Sequence, residues 1–246
     1  MISTGNWDMT VYSPVISRHC QAGQFVHVRI GDSFNPFLRR PLSIGPCDGD
    51  YLRLIFTVKG IGTKILSEKQ PGDMIDLIGP LGKPFYLPDE KSCPVLIGGG
   101  IGVVPLLTLD DHIKKAVFLL GVQSKTSLTV DESEINQRGI SIASDDGSIG
   151  FNGNVVQLFE KTLQQWSGTE KQKIIVYACG PMPMMIALKS VCAKFSIKAY
   201  LSLEAPMACG VGACQSCVVR KAKAEGYYLV CQDGPVFDAQ DVELQP

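Results

Sequence analysis

The chain has 246 residues, of which 45% are apolar, and its 23 basic and 24 acidic side chains give a net charge of −1. This composition predicts a globular protein with a sizeable core, and it excludes the strong basic excess of a nucleic-acid-binding protein. The nine cysteines are odd in number, and the first residues carry neither a basic segment nor an apolar run. We therefore expect a cytoplasmic protein with reduced thiols.

Residues 1–90 are predicted to form short strands separated by Gly, Pro and Asp turns, a spacing typical of a small antiparallel barrel or sandwich. One short helix, Thr63–Lys69, interrupts the strands. The predicted strands are Trp7–Val15, Gln24–Ile30, Leu42–Ile44, Leu52–Val58 and Met74–Leu77.

A glycine turn at the start of this helix favours an anion site. Gly62 and Thr63 stand where free N–H groups bind phosphate, and a glycine lets a pyrophosphate come close. The guanidinium of Arg40 offers a fork of donors to the same anion. A solvated surface arginine is the alternative interpretation.

The segment 92–109 carries no charge, but glycines and prolines interrupt its centre. A strand, a turn and a helix are therefore predicted there in place of a membrane span. The glycine run precedes Pro105 in the first helical turn, which would cradle a pyrophosphate. It is not the G-x-G-x-x-G fingerprint, and no acidic residue ends the second strand to hold a ribose, so a purely structural turn is an equal alternative. The glycines are Gly98, Gly99, Gly100 and Gly102.

From Val95 onwards strands and helices alternate, which predicts a parallel sheet covered on both faces. Ligands of such sheets bind at the carboxyl ends of the strands, where Cys179, Gly180 and Pro181 lie. The predicted strands are Val95–Ile97, Val117–Leu120, Ile140–Ala143, Ile174–Ala178 and Ile197–Leu203. The predicted helices are Val103–Lys115, Val155–Trp166 and Met182–Phe195.

The last segment, after Glu204, is predicted to be loop-like and carries four of the nine cysteines. Their spacing, C-x4-C-x2-C followed by a distant fourth, is that of plant-type [2Fe–2S] ligation. A zinc site, disulfides or buried structural thiols are the weaker alternatives. The predicted ligands are Cys209, Cys214, Cys217 and Cys231, and the other five cysteines are assigned to packing, with Cys179 as a candidate exception.

Three motifs together resemble the ferredoxin reductase superfamily: Arg-Pro-x-Ser at Arg40–Ser43, Gly-x-Gly-Thr at Gly60–Thr63 and Gly-Pro-Leu-Gly at Gly79–Gly82. With the cysteine tail, nearly the whole chain resembles the electron-transfer subunits of NAD-linked (type B) dihydroorotate dehydrogenases. The resemblance implies an antiparallel β-barrel FAD domain over 1–90, an NAD-binding α/β domain over 91–203 and a small [2Fe–2S] loop domain over 204–246.

The resemblance also implies site residues. Cys179 would lie near the nicotinamide as a candidate catalytic residue, with a small residue at a tight turn as the alternative. NAD is favoured over NADP because Lys125 is the only cation near the end of the second strand. The implied FAD contacts are Arg40, Pro41, Leu42, Ser43, Ile55, Phe56, Thr57, Gly62 and Thr63; the NAD contacts are Gly98, Gly99, Gly100, Gly102, Gly180 and Pro181.

In such a relay, electrons from the FMN of a dihydroorotate-oxidising partner would pass through [2Fe–2S] and FAD to NAD⁺ during pyrimidine (UMP) biosynthesis, in a heterotetramer of two subunits of each kind. Two alternatives stay open. One is a reductase subunit of another complex, of the ferredoxin–NADP oxidoreductase or hydrogenase type. The other is a non-enzymatic redox sensor or zinc-binding scaffold.

The tail from Ala205 to Val236 is also expected to form part of the partner interface, with the cluster near the surface that meets the FMN subunit. Ala205–Ala208 and Pro235–Phe237 are apolar and show no helical or strand period, so we expect an isolated chain to expose them. Packing of these loops on the chain's own α/β domain is the alternative.

Overall fold

The structure is a computed structural model that describes residues 5–31 and 35–245. Its strands are β1 (Asn6–Tyr12), β2 (Phe25–Val28), β3 (Arg40–Ser43), β4 (Tyr51–Thr57), β5 (Leu77–Leu81), β6 (Cys93–Gly99), β7 (Val117–Val122), β8 (Ser141–Ser144), β9 (Phe151–Asn152), β10 (Ile174–Cys179), β11 (Lys198–Ser202), β12 (Val218–Lys221), β13 (Tyr227–Leu229), β14 (Val236–Asp238) and β15 (Val242–Glu243). Its α-helices are α1 (Pro14–Ser17), α2 (Ile61–Ser67), α3 (Val104–Asp110), α4 (Glu132–Arg138), α5 (Val155–Gln164), α6 (Gly168–Lys171) and α7 (Met182–Lys194).

The first five strands form two antiparallel sheets, β1–β4 and β3–β2–β5. Alternate residues of β4 point into a shared core, where Leu52, Leu54 and Phe56 are buried. The predicted closed barrel is not seen in the described residues. After Ser43 the chain gives β4 one hydrogen bond from Gly45 N–H to Arg53 O (2.8 Å) before Pro46, which has no N–H to continue a ladder.

Several predicted boundaries in this region were wrong. The strand predicted over Trp7–Val15 ends at Tyr12, and its last two residues lie in α1, which was not predicted, because Pro14 starts a helical turn there. Helix α2 begins at Ile61, two residues before its predicted start. The last strand runs over Leu77–Leu81 instead of Met74–Leu77, and so includes Pro80 of the segment predicted as a turn. A proline is tolerated there because β5 is an edge strand, on which one missing N–H breaks no central ladder.

The second half of the chain forms a seven-stranded sheet of order β14–β11–β10–β6–β7–β8–β9. All its neighbours are parallel except β14, which pairs antiparallel with β11. The predicted parallel sheet is therefore confirmed, and helices pack on it with buried apolar faces such as Val155, Phe159 and Leu163 of α5. Helix α3 ends at Asp110, five residues before its predicted end, and α4 was not predicted.

The tail is less loop-like than predicted. Strands β12, β13 and β15 form a small sheet, and β14 joins the edge of the large one. Val236 and Phe237 are buried, so the expected exposure of Pro235–Phe237 was wrong. Pairing with β11 buries their side chains and covers an otherwise open sheet edge. The three domain boundaries stay a prediction.

A charge network joins the two halves. Arg53 of β4 contacts Asp8 (2.7 Å) and Glu134 of α4 (2.9 Å), and Glu134 also accepts from Arg138 (3.2 Å). These side chains are mostly buried, which reduces solvent screening of the ion pairs. Over the described ranges, no helix combines the length and apolar character needed to cross a lipid bilayer.

Replacing Glu134 by Gln should lower the free energy of unfolding by about 1–3 kcal/mol. The charge-assisted hydrogen bonds from Arg53 and Arg138 would weaken at a partly buried position. Glu132→Gln is the matched control: it lies in the same helical turn, but its ion pair with Lys125 is exposed. The Glu132→Gln substitution should lower the free energy of unfolding by less than about 1 kcal/mol. Equal losses in urea titrations of the two variants would contradict a role for the network in joining the halves.

Candidate cofactor sites

A cavity of about 420 Å³ lies between the first five strands and the ends of β10 and β11. Seven of the nine predicted FAD contacts line this cavity, and residues of the tail form another part of its lining. The predicted residues that line it are Pro41, Leu42, Ser43, Ile55, Phe56, Thr57 and Thr63; the tail contributes Ala205, Pro206, Met207 and Pro235. The lining is largely apolar, as the burial of a flavin ring requires.

The other two predicted contacts, Arg40 and Gly62, lie beside the cavity. A Cβ built on Gly62 would be 3.0 Å from Nε of Arg40, so the guanidinium packs on the first turn of α2. The first hydrogen bond of this helix runs from Lys64 N–H to Gly60 O, which leaves the preceding N–H groups without an intrahelical acceptor. A cation and these donors meet at one point, so the residues fit the pyrophosphate of FAD.

Replacing Arg40 by Ala should weaken FAD retention about ten- to a hundredfold, because a charge-assisted contact to the pyrophosphate is lost. Arg39→Ala is the control, since the Arg39 guanidinium is paired at 2.8 Å with Asp76, the residue before β5. It should leave FAD affinity within about threefold of the wild type. FAD content after extended dialysis measures both, and equal retention in the two variants would make Arg40 a surface charge.

A second cavity of about 470 Å³ lies at the carboxyl ends of β6, β7 and β10. Five of the six predicted NAD contacts line it: Gly99, Gly100, Gly102, Gly180 and Pro181. Gly98 does not, because it faces the following turn, where a Cβ would be 3.0 Å from Cα of Val103. A Cβ on Gly102 would overlap the Cys179 carbonyl oxygen, so the two predicted turns are packed directly together.

The two cavities adjoin. Thr57, Lys59, Ile101 and Glu204 line both of them. Sequence reasoning did not select Lys59, Ile101 or Glu204 as site residues. Lys59 and Glu204 each stand two residues after the end of a strand, a position that signals a ligand contact only once the strand is known to end at a cavity.

Cys179 is buried and lines the first cavity, not the second. Burial, and next the carboxylate of Glu204, raise the pKa of its thiol to about 12. The thiol is therefore protonated at neutral pH, and its catalytic role stays a prediction.

The cysteine loop curls around its own sulfurs. The N–H groups of Val211 and Cys214 donate to Sγ of Cys209 (both 3.4 Å), and that of Gly212 donates to Sγ of Cys231 (3.2 Å). Gly212 has φ +80°, and a Cβ there would overlap the side chain of Gln232, so the curl needs glycine. Such N–H···S bonds orient and stabilise cluster ligands, and the loop fits a [2Fe–2S] cluster.

The four cysteines contact one another in two pairs. Cys214 N–H donates to Cys209 Sγ, and Cys231 N–H donates to Cys217 Sγ at 3.3 Å. Within residues 5–31 and 35–245, no three His, Cys, Asp or Glu side chains surround one point as the ligands of a single ion would. Four cysteine ligands is the count that a [2Fe–2S] cluster needs.

Three residues that were given no site role from the sequence, His27, Cys20 and Cys47, have close partners. His27 of β2 is buried, with Nδ1 3.3 Å from Cys209 O, so the first half of the chain contacts the cysteine loop directly. The sulfurs of Cys20 and Cys47, assigned to packing, are 3.4 Å apart. Neither contact is visible in sequence spacing, because the partners are far apart in the chain.

Cys214→Ser should reduce iron from about two per chain to nearly none while FAD stays bound, because the two sites use different segments. Cys93→Ser, at the start of β6, is the control and should keep both cofactors. Iron analysis and the flavin spectrum measure this. Joint loss of iron and FAD from Cys214→Ser would show that the loop stabilises the flavin site, and zinc in place of iron would contradict the cluster.

The fold and the site define a class: a ferredoxin-reductase-like oxidoreductase with an added iron–sulfur loop. The structure of an NADH-dependent reduced ferredoxin-NADP oxidoreductase superposes with a TM-score of 0.86 at 27% identity, covering 99% of this chain and 87% of the other. Phthalate dioxygenase reductase superposes at 0.61 with 15% identity over 98% of this chain and 74% of its own, which shows the shared fold alone.

The relatives narrow this class. Residues 204–243 match the iron–sulfur cluster binding domain of dihydroorotate dehydrogenase B. The dihydroorotate dehydrogenase B (NAD(+)) electron transfer subunit of Geobacillus kaustophilus is 39% identical over 256 residues, 99% of this chain and 95% of its own. The corresponding subunit of Desulforamulus reducens is 38% identical over 252 residues, which cover 98% of this chain and 94% of its own. The chain belongs to the family of dihydroorotate dehydrogenase B electron transfer subunits, and the resemblance found in the sequence is confirmed.

Proposed function

We propose that the chain is the electron-transfer subunit of an NAD-linked dihydroorotate dehydrogenase. It would take electrons from the FMN of a dihydroorotate-oxidising partner and deliver them to NAD⁺ in pyrimidine (UMP) biosynthesis. The observation that carries the proposal is the order of the three sites: the nicotinamide cavity shares a wall with the flavin cavity, and β2 contributes Phe25 to the flavin cavity and His27 to the cysteine loop.

The chain's residues would bind and orient the cofactors. When bound, FAD and the [2Fe–2S] cluster supply the two-electron and one-electron chemistry that links a hydride acceptor to a one-electron donor. The glycine turns would hold the dinucleotide against the flavin cavity, and the apolar lining would exclude water from the place where they meet. The proposed ligand sets are the predicted ones without Gly98, which faces the turn, and with Lys59, Ile101 and Glu204 added at the shared wall.

The partner would dock on the cysteine loop. Val211 is 52% exposed and Tyr227 62% exposed, and the exposed side chain of Cys214 lies in the same loop as Val211. Exposed apolar side chains around a redox centre favour a protein interface. Much of the rest of residues 205–236 packs on the chain itself. The proposed interface is therefore smaller than the expected one and consists of the cysteine loop with β12 and β13. A cytoplasmic heterotetramer of two subunits of each kind is part of the proposal, and none of the nine cysteines is in a disulfide.

Co-purification with the FMN subunit of the same organism tests the proposal. We expect NADH to form from dihydroorotate and NAD⁺ with the complex, and with neither subunit alone. In hydrogen exchange, residues 211–218 and 227–229 should gain protection on complex formation, while α1 (Pro14–Ser17), on another part of the surface, should not. Protection elsewhere, with the cysteine loop unchanged, would contradict the docking site.

A second candidate is the reductase subunit of a complex that acts on ferredoxin, which the likeness to the NADH-dependent reduced ferredoxin-NADP oxidoreductase favours. The same purified chain decides between the two. Electron transfer with reduced ferredoxin but none with the dihydroorotate-oxidising subunit would favour the second candidate.

A further inference from the structure

The structure assigns Asp145 as the residue that selects NAD over NADP, an inference that rests on the proposed function. In the sequence, no acidic residue ends the second strand of the parallel sheet, and Lys125 is the nearest cation. An acidic residue is found instead after β8, the strand beside the second one. Asp145 directly follows β8 and lines the nicotinamide cavity.

The order of strands places Asp145 at the adenosine end of a bound dinucleotide. The flavin cavity lies at the ends of β11 and β10, the glycine turn that would hold the pyrophosphate follows β6, and β7 and β8 come next across the sheet. Neighbouring strands lie about 4.8 Å apart, so β8 is roughly 14 Å from β10. A bound dinucleotide would place its nicotinamide against the flavin and its pyrophosphate on the glycine turn. Its adenosine ribose would then lie at the ends of β7 and β8.

The loop that carries Asp145 is held in place. Its N–H donates to Val122 O at 3.1 Å, at the end of β7. The carboxylate of the next residue, Asp146, accepts from both the N–H (2.9 Å) and the hydroxyl (2.6 Å) of Ser148, whose hydroxyl in turn accepts from Lys125 N–H. The Asp146 carboxylate therefore builds the loop, whereas Asp145 lines the cavity.

The charge at this end of the cavity is negative. Three charged residues of the described chain line the cavity, and Lys59 and Glu204 belong to the wall shared with the flavin. Lys125 does not line it, and its Nζ is paired with Glu132 at 2.9 Å. A carboxylate accepts hydrogen bonds from ribose hydroxyls and repels a 2′-phosphate, which an arginine would attract.

Binding of two redox-inactive fragments to the full-length holoprotein tests the assignment: ADP-ribose and 2′-phospho-ADP-ribose, each titrated by calorimetry. The wild type should prefer ADP-ribose by at least about tenfold. Asp145→Asn should weaken ADP-ribose about five- to tenfold and tighten 2′-phospho-ADP-ribose about tenfold, because a charged acceptor and its repulsion are both lost. Asp145→Glu keeps the charge and should keep the discrimination against the phosphate.

Asp146→Asn is the matched control, since it removes the same charge one residue away and outside the cavity lining, while its amide oxygen still accepts the two hydrogen bonds from Ser148 that hold the loop. The ratio of the two affinities should stay within about threefold of the wild type. With NADH, NADPH and an artificial dye, the Asp145→Asn effect should fall on KM and not on kcat, because the adenosine end is remote from the reacting atoms.

Two failures are distinguishable. If the wild type binds ADP-ribose but Asp145→Asn changes the ratio no more than Asp146→Asn does, the assignment of Asp145 is overturned and the proposed function stands. If the wild type binds neither fragment and NADH does not reduce its flavin, the nicotinamide site of the proposed function is overturned together with the assignment.

Discussion

The close approach of Gly102 to the end of β10 is the constraint on which both cavities depend. A Cβ at Gly102 would overlap the carbonyl oxygen of Cys179, and one at Gly99 would be 2.7 Å from the ring of Pro181. Only glycine lets the turn after β6 lie directly on the turn after β10. Because Cys179 lines one cavity and Gly102 the other, this contact fixes the distance between the two sites.

The tail is held against the flavin half by a second set of close contacts. A Cβ on Gly82 would be 2.5 Å from Pro235, and Lys83 N–H donates to Gly234 O at 2.6 Å. On the other side, β14 pairs with β11 of the parallel sheet. The segment after the fourth cysteine therefore bridges both halves, which explains why its apolar residues are buried although they show no period in the sequence.

Features that depend on local spacing could be predicted, and those that depend on strand order could not. The iron–sulfur binding domain was predicted because three of its cysteines and the glycines between them lie in one short segment, Cys209–Cys217, and the turn at Gly62 is likewise local. Asp145 follows the third strand of the parallel sheet, and its place beside the second strand appears only when β7 and β8 pair. The predicted barrel failed for a related reason: sequence alternation identifies strands, but it does not show that β3 and β4 belong to different sheets, with one hydrogen bond from Gly45 to Arg53 before Pro46.

The two cavities adjoin, whereas the cysteine loop contacts the flavin half through protein, and this difference follows from the species that each contact would have to transfer. A hydride moves as a nucleus with two electrons, so its donor and acceptor must touch, and the wall shared by Thr57, Lys59, Ile101 and Glu204 leaves the two cavities in contact there. Single electrons need no such contact, and the cysteine loop is accordingly joined to the flavin half through protein, by the contact of buried His27 with the Cys209 carbonyl. In the proposed relay, the exposed side of that loop would face the second redox protein, while the cavity at the carboxyl edge of the sheet would admit a small diffusing dinucleotide.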